Sequence, residues 1–268
     1  MAPFGLSALR SLLGRGVNNT PWQPPESSWS RRFGLGWESP YTVRYASNLD
    51  DGPDHGMPLG GFGAGCLGRS PSGAFNLWNL DGGEHWFGSI PDCQFALWEQ
   101  QGEDVRAHAL ATAPDRDDTD PSGGTPLSAW QWYPASTQGR STGTYAARYP
   151  LSWTHHEDVY RAGVLCEAFS PILPGDYQRT SYPVAVFRWQ FSNPTDQPLE
   201  LSLMLCWRNT VGWFTNTDAA AEVHFRDDGS PEHNYAPAIG RGEGQRNRQV
   251  DQPGLSGVLL EGQPSVPL

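Results

Sequence analysis

The chain has 268 residues, enough for one large β domain or two small ones. Its formal net charge of −11 argues against nucleic acid as a partner. Only 18% of residues are charged, and 31 glycines and 24 prolines are dispersed among apolar segments, which excludes global disorder and favours a loop-rich all-β protein.

Residues 1–16 are mildly amphipathic, with Leu6, Leu9, Leu12 and Leu13 beside Arg10 and Arg15. They read as a short helix or tail and not a signal peptide, because Arg10 interrupts the apolar stretch and no small-residue cleavage site follows. A membrane-surface role for this segment stays open. No stretch of 18 apolar residues occurs, so no transmembrane helix is expected. Residues 17–40, rich in Pro, Ser, Trp and Arg, form an irregular lead-in. Residues 93–110 read as a hairpin: Phe95 and Leu97 alternate with Gln94 and Ala96, Gln101 to Asp104 turn, and Val105, Ala107 and Ala109 alternate on the return. In the polar loop at 112–126, Asp115, Asp117, Asp118 and Asp120 lack the ligand order of a calcium loop and read as solvated.

The clearest fold signal lies at 184–207. Phe187, Trp189 and Phe191 share one face, Asn193 to Pro198 turn, and Leu199, Leu201, Leu203, Leu205 and Trp207 share a face. This predicts a half-buried antiparallel hairpin. Further strands are expected at 163–169, 221–226 and 256–261, and the glycine-rich 227–256 segment as a long loop. Many short strands with frequent turns predict an antiparallel β-sandwich. We divide the chain into a lead-in, 1–39, and a sandwich domain, 40–268, whose open end is expected to be a truncation.

Residues 58–68 contain a formal G-x-G-x-x-G at Gly63, Gly65 and Gly68, with Asp81 or Glu84 at the distance of a dinucleotide site. That motif needs a strand before it and a helix opening from it. Here a turn-rich segment ends at Pro58, while Pro71 and Gly73 block a helix, and an alternating segment, Ala74 to Asn79, follows. Gly60, Gly61, Gly63, Gly65 and Gly68 therefore read as a structural loop where backbone passes close to another surface.

Twelve tryptophans in an acidic chain raise the expectation of carbohydrate, because indoles stack on sugar rings, although most should fill the core. Cys66, Cys93, Cys166 and Cys206 show no C-x-x-C spacing and read as reduced thiols. His155, His156 and Glu157 are poor co-ligands for a metal, since adjacent strand residues point to opposite faces; neither metal nor cofactor is expected. Candidate substrate or domain-interface residues are Glu84, His85 and Trp86 in a polar loop, Asp176 and Tyr177 after Pro174-Gly175, and Arg208 and Asn209 closing an apolar strand. For each, a structural role stands beside the functional one: solvated turn charges for the first group, a turn held by Asp176 for the second, an ion pair for Arg208.

Three blocks carry a family resemblance. They are Met57 to Gly65 with Phe75, Trp78 and Asn79; Tyr149 to Thr154; and Ser170 to Gln178 with Pro183 to Trp189, ending at Trp207-Arg208-Asn209. Together they resemble the N-terminal domain of glycoside hydrolase family 116, the non-lysosomal glucosylceramidase or bile-acid β-glucosidase-like family. The resemblance spans about residues 40–262. It implies an N-terminal β-sandwich packed on a C-terminal (α/α)6 helical domain, and retaining hydrolysis of β-glucosides, including glycolipids in some members. Retention uses two carboxyl groups about 5–5.5 Å apart. In the family both lie in the helical domain, absent from this chain, so no catalytic residue carries over. The leading expectation is a cytoplasmic domain that supports and partly lines the active site of that missing partner. The alternative is a stand-alone carbohydrate-binding or scaffold module without catalysis.

Overall fold

Period-2 alternation becomes strand wherever one face meets the core. The structure is a computed structural model describing residues 22–35, 55–80, 86–114, 125–211, 222–225, 227–234 and 243–263. Among these the strands are β1 (Trp29–Arg32), β2 (Pro58–Leu59), β3 (Cys66–Arg69), β4 (Phe75–Asn79), β5 (Trp86–Phe87), β6 (Gln94–Gln101), β7 (Asp104–Ala109) and β8 (Gly143–Arg148). There follow β9 (Leu151–His156), β10 (Gly163–Phe169), β11 (Val186–Ser192), β12 (Glu200–Cys206), β13 (Glu222–Phe225), β14 (Pro231–Asn234), β15 (Glu243–Gln252) and β16 (Leu255–Gln263). The α-helix described is a single turn, α1 (Tyr177–Thr180). The amphipathic 1–16 segment, the aspartates of 115–120 and the loop carrying Glu84 and His85 lie outside the described residues.

All paired strands in named sheets are antiparallel. The sheets run β1-β8-β9-β10-β11, β12-β6-β7, β2-β3-β4-β5, and the two hairpins β13-β14 and β15-β16. Trp29–Arg32 of the lead-in thus joins the five-stranded sheet beside β8. One aromatic core joins the three larger sheets. Phe95 of β6 meets Phe187 and Trp189 of β11 at 5.1 and 5.0 Å between ring centroids, and Phe75 of β4 meets Phe187 at 5.6 Å. The rings cross edge to face, the arrangement their quadrupoles favour. Phe75, Trp78, Phe95, Leu97, Tyr133 and Val164 are buried in this cluster, and Leu199, Leu201 and Trp207 pack against it. The all-β sandwich expected from the sequence is the observed architecture.

Two expectations are corrected. β11 and β12 are both strands, but they do not pair with each other. β11 pairs with β10 and β12 with β6, so the 193–199 turn carries the chain from one sheet to the other. Both strands direct odd-numbered residues to the shared core, which produces the same alternation as a hairpin would. The 227–256 segment is also not a long loop: β13-β14 turn within it and β15 pairs with β16. Strand β15 reads Glu-Gly-Gln-Arg-Asn-Arg-Gln-Val-Asp-Gln, and its described residues are almost all exposed, so no apolar periodicity marks it.

Two buried polar side chains, Arg69 and Glu99, tie the sheets together, and a third, His156, is packed among rings. Arg69 donates to the carbonyls of Gly73 and Leu110 at 3.0 and 2.9 Å and to Thr154 Oγ1 at 3.1 Å. Its guanidinium lies 5.7 Å from the rings of both Phe95 and Trp189. Burial lowers its pKa from the ordinary arginine value. Glu99 is fully buried and accepts the backbone N–H groups of Arg161 and Ala162 at 3.0 and 2.8 Å. His156 packs among Phe33, Tyr133 and Trp189, and neither ring nitrogen has a hydrogen-bond partner. Desolvation holds its pKa well below the usual histidine value.

Candidate functional site at the glycine loop

The glycine run connects β2 to β3, which pair Pro58 with Gly68 and Leu59 with Leu67. β4 follows, so the glycines sit between extended segments, and no described helix opens from them. This geometry excludes the dinucleotide arrangement. The loop is pressed onto α1. Phe62 N–H donates to the Thr180 carbonyl at 2.9 Å, and Gly60 N–H donates to Ser170 Oγ at 2.7 Å. A Cβ on Gly61 would stand 2.4 Å from the Tyr182 carbonyl oxygen, and one on Gly65, where φ is +78°, would stand 2.3 Å from the Asn79 carbonyl oxygen. Glycine at these two positions is what lets the backbones approach.

Asp176 fixes the other side of that contact. It caps α1, accepting the Arg179 N–H at 2.9 Å and Arg179 Nε at 2.5 Å. The backbone bond first, then the guanidinium, lowers its carboxyl pKa. Thr180 at the helix end accepts from Leu173 N–H and donates back to the Leu173 carbonyl. The sequence alternative of a turn held by Asp176 is what the structure shows, while Tyr177 projects outward, 76% exposed.

A groove of about 280 Å³ opens on this loop, lined by Pro58, Gly60, Gly61, Phe62, Gly63, Gly65, Cys66, Asn79 and Tyr149. Its wall is mostly glycine backbone, and Phe62 and Tyr149 are exposed aromatic side chains of its lining. The volume lies just under the range of about 300–1,000 Å³ typical of small-molecule sites, room for one ring and not for an extended ligand. Among the described residues its lining has no carboxyl group, and these residues supply stacking surface and hydrogen-bonding groups.

The other candidates lie elsewhere. Arg208 pairs with Asp92 at 3.3 Å, and its backbone N–H donates to Cys93 Sγ at 3.3 Å. Asn209 is buried, and its amide donates to the Glu261 carbonyl at 2.9 Å and to Asn247 Oδ1 at 3.1 Å, fastening the chain to the β15-β16 hairpin. Neither lines the groove. The Trp86 backbone pairs with Trp78 in β4-β5. His155 pairs with Glu157 at 2.9 Å while His156 faces the core, so the adjacent histidines point to opposite faces. The four cysteines are thiols; burial pushes Cys93 up to about 12 and Cys166 to about 11.

Phe62 and Tyr149 are the groove residues that sequence reasoning passed over. Among the tryptophans whose side chains are described, only Trp29 is exposed, and the rest are buried or half-buried. Most of the described indoles pack within the fold, the role expected for the majority of them. The usable signal was positional: Phe62 lies within the glycine run, and Tyr149 opens the second resemblance block.

These features define an all-β sandwich domain with a groove at its glycine loop. Residues 56–266 match the family described as beta-glucosidase 2, glycosyl-hydrolase family 116 N-term, and the chain belongs to that family. No described helix is long and apolar enough to cross a membrane.

Proposed function

We propose that this chain is the N-terminal sandwich of a retaining β-glucosidase of the glucosylceramidase type, and that its glycine-loop face meets a helical catalytic domain. Family membership supports this reading, and the observation that carries it furthest is the groove itself. Its described lining offers exposed aromatic surface and backbone, as expected of a wall that shapes a sugar site whose acid and nucleophile come from elsewhere. Phe62 and Tyr149 stack on the glycone or aglycone of a β-glucoside or glycolipid. Glu84, His85 and Trp86 contact the substrate or the helical domain. Asp176 positions that face through α1, Tyr177 contacts the helical domain, Asn209 holds the C-terminal hairpin and Arg208 ties the end of β12 to Asp92. The domain takes 40–268 together with β1 from the 1–39 lead-in, and the protein works in the cytoplasm.

The test is turnover of a chromogenic β-glucoside by the 268-residue chain alone and by the chain joined in frame to a family 116 helical domain. Only the joined protein is expected to turn over. Hydrolysis by the chain alone would put the carboxyl pair in this domain. Glucoside binding by the chain in calorimetry, with no hydrolysis by the joined protein, would favour a stand-alone binding module.

A further inference from the structure

The sheet formed by β12, β6 and β7 has two unlike edges. At the β7 edge, Ala109 N–H donates to the Gln131 carbonyl at 2.8 Å and Tyr133 N–H donates to the Ala109 carbonyl at 3.1 Å, so the 131–133 segment covers part of it. The rest of β7 carries Asp104, which pairs with Arg161, and Arg106, which donates to the Val159 carbonyl at 2.8 Å. Charge and cover are the usual means of guarding an edge.

Among the described residues the β12 edge lacks such cover and carries no charge beyond its first residue. Its sequence is Glu-Leu-Ser-Leu-Met-Leu-Cys, with one charge at its first residue and no lysine, arginine or proline. Among the described residues no strand pairs with it on the side away from β6. Leu199 and Leu201 pack against the core, and Leu203 and Leu205 share their face, yet these two are 38% and 50% exposed. Met204, on the opposite face, is 49% exposed. The open backbone row calls for an extended strand, and the half-covered leucines call for apolar residues at alternate positions.

We infer that β12 pairs antiparallel with β12 of a second copy of this chain, joining two three-stranded sheets into one of six strands. A second copy supplies what the edge lacks. Pairing about Leu203 sets Leu201 against Leu205 of the other copy, which continues the leucine layer of both cores. It sets Glu200 against Cys206, so the single acid of the strand never meets itself. Elsewhere the net charge of −11 keeps copies apart, which directs association to this neutral strip.

The experiment is light scattering after size exclusion on the full chain from about 1 to 100 µM, since a contact below about 1,200 Å² gives modest affinity. A monomer–dimer equilibrium within that range is expected. Met204→Lys, outward-facing and so tolerated by the fold, is expected to raise the dimer dissociation constant at least about tenfold. Its melting temperature, measured at a concentration where both proteins are monomeric, should be unchanged. Leu203→Cys is expected to cross-link to itself with a short bismaleimide, because facing Cβ atoms lie about 4.5–5.5 Å apart. Val105→Cys on β7 and the unsubstituted chain should give only background. A chain monomeric at 100 µM, a dimer indifferent to Met204→Lys, or equal cross-linking from position 105 would overturn the pairing.

Discussion

Replacing Gly61 with alanine tests the contact that builds the groove. The new methyl would stand 2.4 Å from the Tyr182 carbonyl oxygen and 2.5 Å from the Ser181 carbonyl carbon and oxygen, where ordinary contact begins near 3.4 Å. All three atoms are backbone, so no side chain can swing away, and the loop and the end of α1 must part by about 1 Å. That movement also lengthens the Phe62 N–H bond to the Thr180 carbonyl, now 2.9 Å. Overpacking plus a weakened hydrogen bond costs about 2–3 kcal/mol, which lowers the melting temperature by about 4–12 °C in a domain of this size. Gly63→Ala is the comparison. Its φ is +73° but nothing lies within 4 Å of the added methyl, so it costs only the left-handed backbone, about 1 kcal/mol. Thermal and urea denaturation followed by circular dichroism measure both, and amide exchange at Phe62 should quicken in Gly61→Ala alone. If Gly63→Ala proves as damaging as Gly61→Ala, the loop is not held by close approach to α1 and the account of the groove fails.

Glu99→Gln leaves one of two buried backbone N–H groups facing an amide NH2, and should cost about 2–4 kcal/mol in urea unfolding; an unchanged midpoint would mean that both carboxylate bonds are dispensable. His156 is kept neutral in the fold while the unfolded chain protonates near pH 6.5, so stability should be full above that pH and fall below it, by up to about 1.4 kcal/mol per pH unit. His108, lowered by burial and by Arg106, adds in the same direction, and His156→Phe should flatten the slope in urea melts at pH 7.5, 6.5 and 5.5. With burial holding Cys93 and Cys166 far from thiolate at pH 8, these two should react with a disulfide reagent only after unfolding, as peptide mapping would show. In the protein joined to a family 116 helical domain, Phe62→Ala and Tyr149→Ala should each lower kcat/KM for a β-glucoside about tenfold, while in the chain alone, where both side chains are mostly exposed, neither should change the melting temperature.

Strand content was legible where burial is one-sided. Phe95 and Leu97, the 163–169 run, and the alternating residues on either side of Asn193 all fell in strands, since each presents apolar residues to one core at intervals of two. Pairing was less legible, because alternation reports which way a side chain points and not which neighbour lies beside the strand; β11 and β12 show the difference. Strand β15 was invisible because its hydrogen bonds to β16 need no apolar side chains. At the site, Asp176 could be read as a turn holder from its place after Pro174-Gly175. The aromatic lip could not, because exposure of Phe62 and Tyr149 is set by contacts distant in sequence, such as that between Gly61 and Ser181.

The crossing of the chain between sheets at 193–199 has a consequence during synthesis. β6 and β7 can close locally as soon as both have left the ribosome, but the partner of Leu97 is Leu203, roughly a hundred residues later, and such distant pairings are slow to form. For that interval β6 waits on the nascent chain with β7 as its one strand neighbour. The 193–199 turn is therefore a clock as well as a connection: β6 cannot gain its second neighbour until the turn and β12 have been translated.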